Sequence, residues 1–296
     1  MNKASVIALC VLAFSSLALS GLRADFLEDL EGAAYMEEGI VYGNMNGREL
    51  RLNLYHPARG EGSFPAVVFV HGGGWRAGHR GHFSRQAMYL SAKGYVCACI
   101  EYRLSGEAQF PAQIEDVKCA IRWMRAEGSK HFHADPDRIG VSGGSAGGHL
   151  SLLAGTSGDV NELEGKGGWP EQSSSVQCVV AFNPAVEFPE GMATGAVAAF
   201  LGGSRAEVPQ NYNMATPATW LDKNDPPMLI LHGNADKTVP YEKSAEFIQK
   251  LKALGIDGML YTAEGKDHTW FSFPPDFAPT SRAMEAFFNK YLKKDE

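Results

Sequence analysis

Two stretches near the start of the chain, GIVYGN (39–44) and RELRLNLYHP (48–57), alternate apolar and polar positions. That period of two predicts antiparallel strands with one face open to water. Downstream the pattern changes. PAVVFV, YVCACIEY, RIGVSG, VQCVVAFNP, PPMLILHG and GMLYTAEG are short continuous apolar runs rich in β-branched residues. Runs of this kind fit strands buried on both faces. Between them lie 3.6-residue patterns over roughly 83–93, 111–127, 146–155, 240–254 and 278–293. Buried strands alternating with helices predict an α/β domain: a mostly parallel, twisted sheet wound by right-handed crossovers, with helices on both faces. No linker divides it. Two segments, 157–175 and 187–222, break the alternation, being rich in Gly, Pro, Ser and Asn with Trp169 and Trp220 embedded. Irregular segments of that length suggest functional loops folding over a site.

The first 24 residues follow a different pattern: Lys3, an apolar stretch from Val6 to Ala18, then small residues. This is the layout of a secretory signal peptide, too short in its apolar part for a membrane span. Cleavage after Ser20 or Ala24 is expected, leaving a catalytic domain over 25–296 that is secreted or periplasmic, without stable membrane insertion. The full chain has 296 residues and a formal charge of −7; losing Lys3 and Arg23 takes it to −9. An acidic surface of this kind offers no basic surplus for phosphate backbones, so no nucleic-acid partner is expected. Of the cysteines beyond the leader, Cys97 and Cys99 are two apart in a strand and face the same side, unable to bond each other. With Cys119 and Cys178 they match no zinc spacing.

The candidate chemistry centres on IGVSGGSAGGHL, residues 139–150, where five glycines surround Ser145. Gly143-Gly144-Ser145-Ala146-Gly147 is a G-x-S-x-G motif between a predicted strand and a predicted helix. A serine on so sharp a turn takes a strained backbone, and its neighbours must lack bulk. The helix N-terminus sets positive dipole and free N–H groups beside it, suited to a developing oxyanion. Upstream, HGGGW (71–75) follows a buried strand, and its glycines let backbone N–H groups point into a site unobstructed. Gly73 and Gly74, with Ala146 at the elbow, are the expected oxyanion donors. A serine nucleophile needs a base, and the base an orienting acid. Asp236 in LHGNADKTVP and His268 in GKDHTWF each follow a buried strand, in the order Ser145, Asp236, His268. Among rivals, His149 is expected beneath the elbow, His232 bracing the Asp236 loop and His71 orienting its own loop. Asp267 should point away from the His268 ring, and Asp257 is the second choice of acid. Trp75 and Trp270 flank these positions and are candidate substrate contacts.

HGGGW, ADPDRIGVSGGSAGGHL, HGNADKTVP and DHTW together resemble the α/β-hydrolase superfamily. More narrowly they resemble the secreted esterases grouped with the bifunctional acetylxylan/feruloyl esterases, near the hormone-sensitive-lipase type. The resemblance covers residues 38 to 292. It implies an α/β-hydrolase fold, a Ser145–His268–Asp236 triad, acyl transfer on a small-molecule or oligosaccharide ester, and neither metal nor organic cofactor; in some relatives Trp75 N–H is an oxyanion donor. A prolyl-oligopeptidase-type peptidase shares the elbow but carries a large N-terminal propeller for which there is no length. An arylformamidase fits an exported chain poorly. A binding module on a hydrolase scaffold characteristically loses the serine or the histidine, and both are present.

Overall fold

A computed structural model describes residues 34–58, 62–158, 160–188 and 195–293; the expected leader lies outside them. Eight strands form one sheet in the order β1-β2-β4-β3-β5-β6-β7-β8. The strands are β1 (Ala34–Met45), β2 (Arg48–Pro57), β3 (Phe64–Val70), β4 (Val96–Ile100), β5 (Ala134–Gly144), β6 (Cys178–Phe182), β7 (Met228–Gly233) and β8 (Gly258–Ala263). β1 and β2, the two alternating stretches, pair antiparallel, and β2 joins β4 antiparallel. From β4 onward every pairing is parallel.

The pleat sorts side chains into two cores. Val68, Val70, Ala98, Ala181 and Ile230 face one layer, with α2 (Ala112–Trp123), α3 (Ala146–Thr156) and α6 (Tyr241–Ala253) packed on it. Val67, Phe69, Val180 and Leu231 face the other, covered by α1 (Ser84–Ala92) and α7 (Phe277–Leu292). Both faces of the central strands are buried, which is why those strands read as unbroken apolar runs. Cys97, Cys99 and Cys178 lie in the second core, and all three, with Cys119, are buried free thiols. Burial pushes each thiol upward, Cys119 to about 12.

The two irregular segments begin at opposite ends of the sheet, and Asp222 at the close of the second comes to lie beside Gly158 and Ser175 of the first. α3 starts at the elbow and, at 1.5 Å per residue, carries the chain about 16 Å back toward the strand N-termini. Residues 160–175 therefore start there and pack along α2, as far as its first turn where Gly165 lies against Glu115, rather than over Ser145. Arg125 bonds the Ser173 and Ser175 carbonyls, Arg122 the Gly168 carbonyl, and Glu164 receives Lys118 and Arg122. Trp169 belongs to that end. Segment 187–222 contains two short helices not anticipated from its composition, α4 (Gly195–Leu201) and α5 (Pro209–Met214). Its first part packs at the strand C-termini, where Ala196 is the nearest neighbour of the open face of Gly74 and Phe200 lies on Trp75. Trp220 lies further along, its indole N–H bonded to the Met214 carbonyl.

Candidate active site

The elbow falls where β5 meets α3. From Ile139 to Ser157 every residue is buried except Ser145, which is partly open. Its backbone sits at φ 56°, ψ −119°, a conformation that non-glycine residues adopt at a cost of about 1–3 kcal/mol. Pairing fixes it: the Ser145 N–H donates to the Phe182 carbonyl at 2.8 Å, and Gly144 lies opposite Phe182 in register.

Loops from three strand ends bring the predicted side chains together. His268 Nε2 is 2.9 Å from Ser145 Oγ, and His268 Nδ1 is 2.7 Å from Asp236 Oδ2. The carboxylate accepts from Nδ1–H, which leaves Nε2 of a neutral ring to accept the serine proton. Asp236 is enclosed and well satisfied. Its Oδ1 accepts from the N–H groups of Thr238 (2.8 Å) and Val239 (2.9 Å), while Oδ2 also accepts from His232 Nε2 at 3.2 Å. His232, fully buried, is held in turn by Ser244 Oγ at 2.8 Å, the bracing position expected of it. Burial alone would raise the Asp236 carboxyl, but the bonds from His232, His268 and Val239 outweigh it and hold the acid well below its ordinary range. Asp267 turns to the N–H groups of Lys237 and His268 rather than to the ring. Asp257 pairs with Lys290 at the N-terminal end of β8 and is remote from this edge.

The 71–78 loop lies against the elbow. A β-carbon on Gly72 would come within 3.3 Å of Ser145 Cβ and 2.8 Å of the Gly144 carbonyl. Gly73, Gly74 and Trp75 follow with φ of 121°, 61° and 57°. Among the described residues no protein acceptor takes the N–H of Gly73, Gly74 or Ala146, so all three are available to an incoming oxygen. His71 orients this loop: Nδ1 donates to the Gly72 carbonyl at 2.8 Å and the ring stacks on Tyr102 at 4.2 Å. Burial, only partly offset by that bond, pulls its pKa down to about 4. At the far end of the loop Arg80 bonds Glu101 and Asn53.

The aromatic candidates divide. Trp75 is 5% exposed and its indole is walled in by Phe200, Phe188 and His149. Its side chain is thus core, not a substrate contact as expected, because a left-handed backbone turns it inward beneath the loop. Trp270 remains half-buried, two residues past His268, with its ring stacked on Tyr261. Its Nε1 donates to Asn183 Oδ1 at 3.0 Å. Asn183 escaped the sequence reading. It is buried at φ 42°, directly after β6, and anchors the base loop through Trp270. A polar residue ending the apolar run VVAF was its only signal.

The sheet order, the elbow and the chain order serine, acid, histidine along one sheet edge are those of an α/β-hydrolase. Within that superfamily the chain belongs to the BD-FAE family, whose match spans residues 52–251. It is 33% identical over 238 residues to esterase LipC of Mycobacterium tuberculosis, covering 76% of this chain but only 58% of LipC. Among solved structures it superposes on a truncated carbohydrate esterase from gut microbiota with a TM-score of 0.75 at 27% identity, covering 88% of this chain and 97% of that one. Against butyrate-bound esterase 2 of Thermogutta terrifontis the TM-score is 0.76 at 28% identity, covering 90% and 98%.

Proposed function

We propose that the protein is an exported serine hydrolase of carboxylic esters that removes short acyl groups, acetyl foremost and feruloyl also, from carbohydrates. The observation that carries this reading is the unbroken hydrogen-bonded path from Ser145 Oγ through His268 to Asp236. Ser145 Oγ attacks the ester carbonyl carbon while His268 Nε2 takes its proton. Asp236 stays ionised and steadies the imidazolium. The N–H groups of Gly73, Gly74 and Ala146 receive the oxyanion. Collapse breaks the ester C–O bond, and the leaving alkoxide takes the proton from His268. Water then attacks the acyl-enzyme by the same proton route, releasing the carboxylic acid and restoring Ser145.

The short-acyl preference draws support from the aromatic core behind the 71–78 loop, where Trp75, Phe188 and Phe200 pack together and leave no aliphatic groove among themselves. Butyrate in the Thermogutta structure and the carbohydrate esterase among the neighbours point the same way. The exposed Phe273 and half-buried Trp270, on the loop that carries His268, offer flat surfaces to sugar or aryl rings. A substrate panel of p-nitrophenyl acetate, butyrate and octanoate, methyl ferulate and acetylated xylo-oligosaccharides tests the reading. Specificity constants should be highest for acetyl and fall by octanoate, and Ser145→Ala should lose about 10⁶ in turnover. Specificity rising with acyl length overturns the substrate, and an active Ser145→Ala overturns the mechanism. N-terminal sequencing of exported material should begin at Gly21 or Asp25.

A further inference from the structure

Three consecutive left-handed residues, Gly73, Gly74 and Trp75, shape the loop beside Ser145. Glycine tolerates such a backbone; tryptophan does not, so residue 75 must be held there by its surroundings. The indole is held on two sides. Its face stacks on Phe200 with centroids 4.5 Å apart, and its Nε1 donates to His149 Nδ1 at 3.2 Å. His149 is fully buried, four residues past Ser145 on α3, and its Nε2 bonds the Ala215 carbonyl at 2.7 Å. An indole N–H only donates and a carbonyl only accepts. Both partners therefore demand the same neutral tautomer, with the proton on Nε2 and a bare lone pair on Nδ1. Burial, against the opposing Ala215 bond, draws the His149 pKa down to about 4, so the ring stays neutral through the ordinary working range.

We propose that His149 is a positioning residue for the oxyanion donors: its Nδ1 lone pair fixes Trp75, and through Trp75 the N–H groups of Gly73 and Gly74, relative to Ser145. The proposal rests on the ester-hydrolase reading above. Ser145 and His149 are one turn apart on a single buried helix, so nucleophile and loop anchor share one frame. Ala215 and Phe200 belong to the 187–222 segment and brace the same ring and indole from outside. Loss of the Nδ1 acceptor leaves a buried indole N–H unpaired and frees a strained loop to relax. A displacement near 1 Å at a reacting centre is worth about 10² in rate.

Three substitutions in the full chain separate this role from plain packing. Trp75→Phe keeps a ring on Phe200 and removes the N–H. In His149→Gln the carboxamide reaches the Nε2 position and no acceptor remains at Nδ1. In His149→Asn an oxygen takes the Nδ1 position. With p-nitrophenyl acetate, the first two should lose about 10- to 100-fold in kcat with KM within about threefold, and the third should recover to within about fivefold of wild type. The shape of the pH–rate profile should not change in His149→Asn. Activity is expressed per folded molecule, from unfolding curves. If Asn is as impaired as Gln, if kcat tracks only the folded fraction, or if the pH profile moves, the proposal is overturned. Nitrogen-15 spectra of histidine-labelled wild type supply a readout independent of catalysis, and one that survives any variant that does not fold. Nδ1 of His149 should be unprotonated and Nε2 protonated; the opposite tautomer overturns the proposal even in an active esterase. An inactive wild type with the expected tautomer instead overturns the ester-hydrolase reading on which the proposal depends, and the proposal with it.

Discussion

A β-carbon at Gly147 would stand 2.1 Å from the Val70 carbonyl oxygen, so α3 begins in direct backbone contact with the end of β3. The same crowding recurs at Gly143, where a β-carbon would lie 2.5 Å from the Gly147 carbonyl. These contacts clamp the elbow against the strand that leads into the 71–78 loop. Gly147→Ala should therefore destabilise the fold by roughly 1–3 kcal/mol, as overpacking does, and depress turnover in the molecules that fold. Urea unfolding and kcat on an acetyl ester check this; unchanged values in both would mean the two backbones can separate harmlessly.

Ser145→Gly should do the reverse for stability. The φ 56°, ψ −119° backbone suits glycine, and relief of its strain is worth about 1–3 kcal/mol. Glycine's greater freedom in the unfolded chain subtracts up to about 1 kcal/mol of that. The variant should melt at or above the wild-type temperature while losing ester hydrolysis entirely. A clearly lower melting temperature would show that the serine hydroxyl, rather than the backbone, dominates local stability.

Asp236→Asn should cut turnover by roughly 10⁴ with substrate affinity little changed, since the acid holds the histidine tautomer. Asp257→Asn, which breaks a pair with Lys290 on the far side, should leave activity intact. The folded carboxyl of Asp236 titrates below its unfolded value. Its stabilising contribution is thus present above the unfolded carboxylate value, near pH 4, and lost as pH falls through the lower folded value. The stability gap between wild type and Asp236→Asn should accordingly be full at neutral pH and shrink in acid. A gap that widened below pH 4 would contradict the assignment.

Cys97, Cys99, Cys119 and Cys178 should resist thiol reagents in the native protein, since each is buried and its thiol is pushed upward by burial. Peptide mapping after iodoacetamide should find these four unmodified until denaturant is added. Modification of Cys119 in native protein would indicate opening of α2 away from β1.

Strands buried on both faces are legible because little that is polar interrupts them, α6 and α7 because each shows one apolar stripe, and α3 because it is apolar almost throughout. The meeting of Ser145, Asp236 and His268 is legible for a related reason: the first two follow such strands, His268 follows the half-buried edge strand β8, and parallel strands end on one edge. What escapes depends on contacts distant in sequence. Whether Trp75 faces inward or outward is decided by its left-handed φ together with Phe188 and Phe200, over a hundred residues away. α4 and α5 are too short to show a period, and their helicity comes from packing. The role of Asn183 requires knowing that Trp270 arrives beside it.

The length of α3 also separates two ends of the molecule. Ser173 and Ser175 bond Arg125 at the end remote from Ser145, and Glu171 near them is exposed. A support or fused module tethered at Glu171 would hold the protein by its back, with the reacting edge turned outward. An enzyme so mounted could still meet an insoluble polymer face-on, whereas attachment through the Phe273 loop would press that edge against the support.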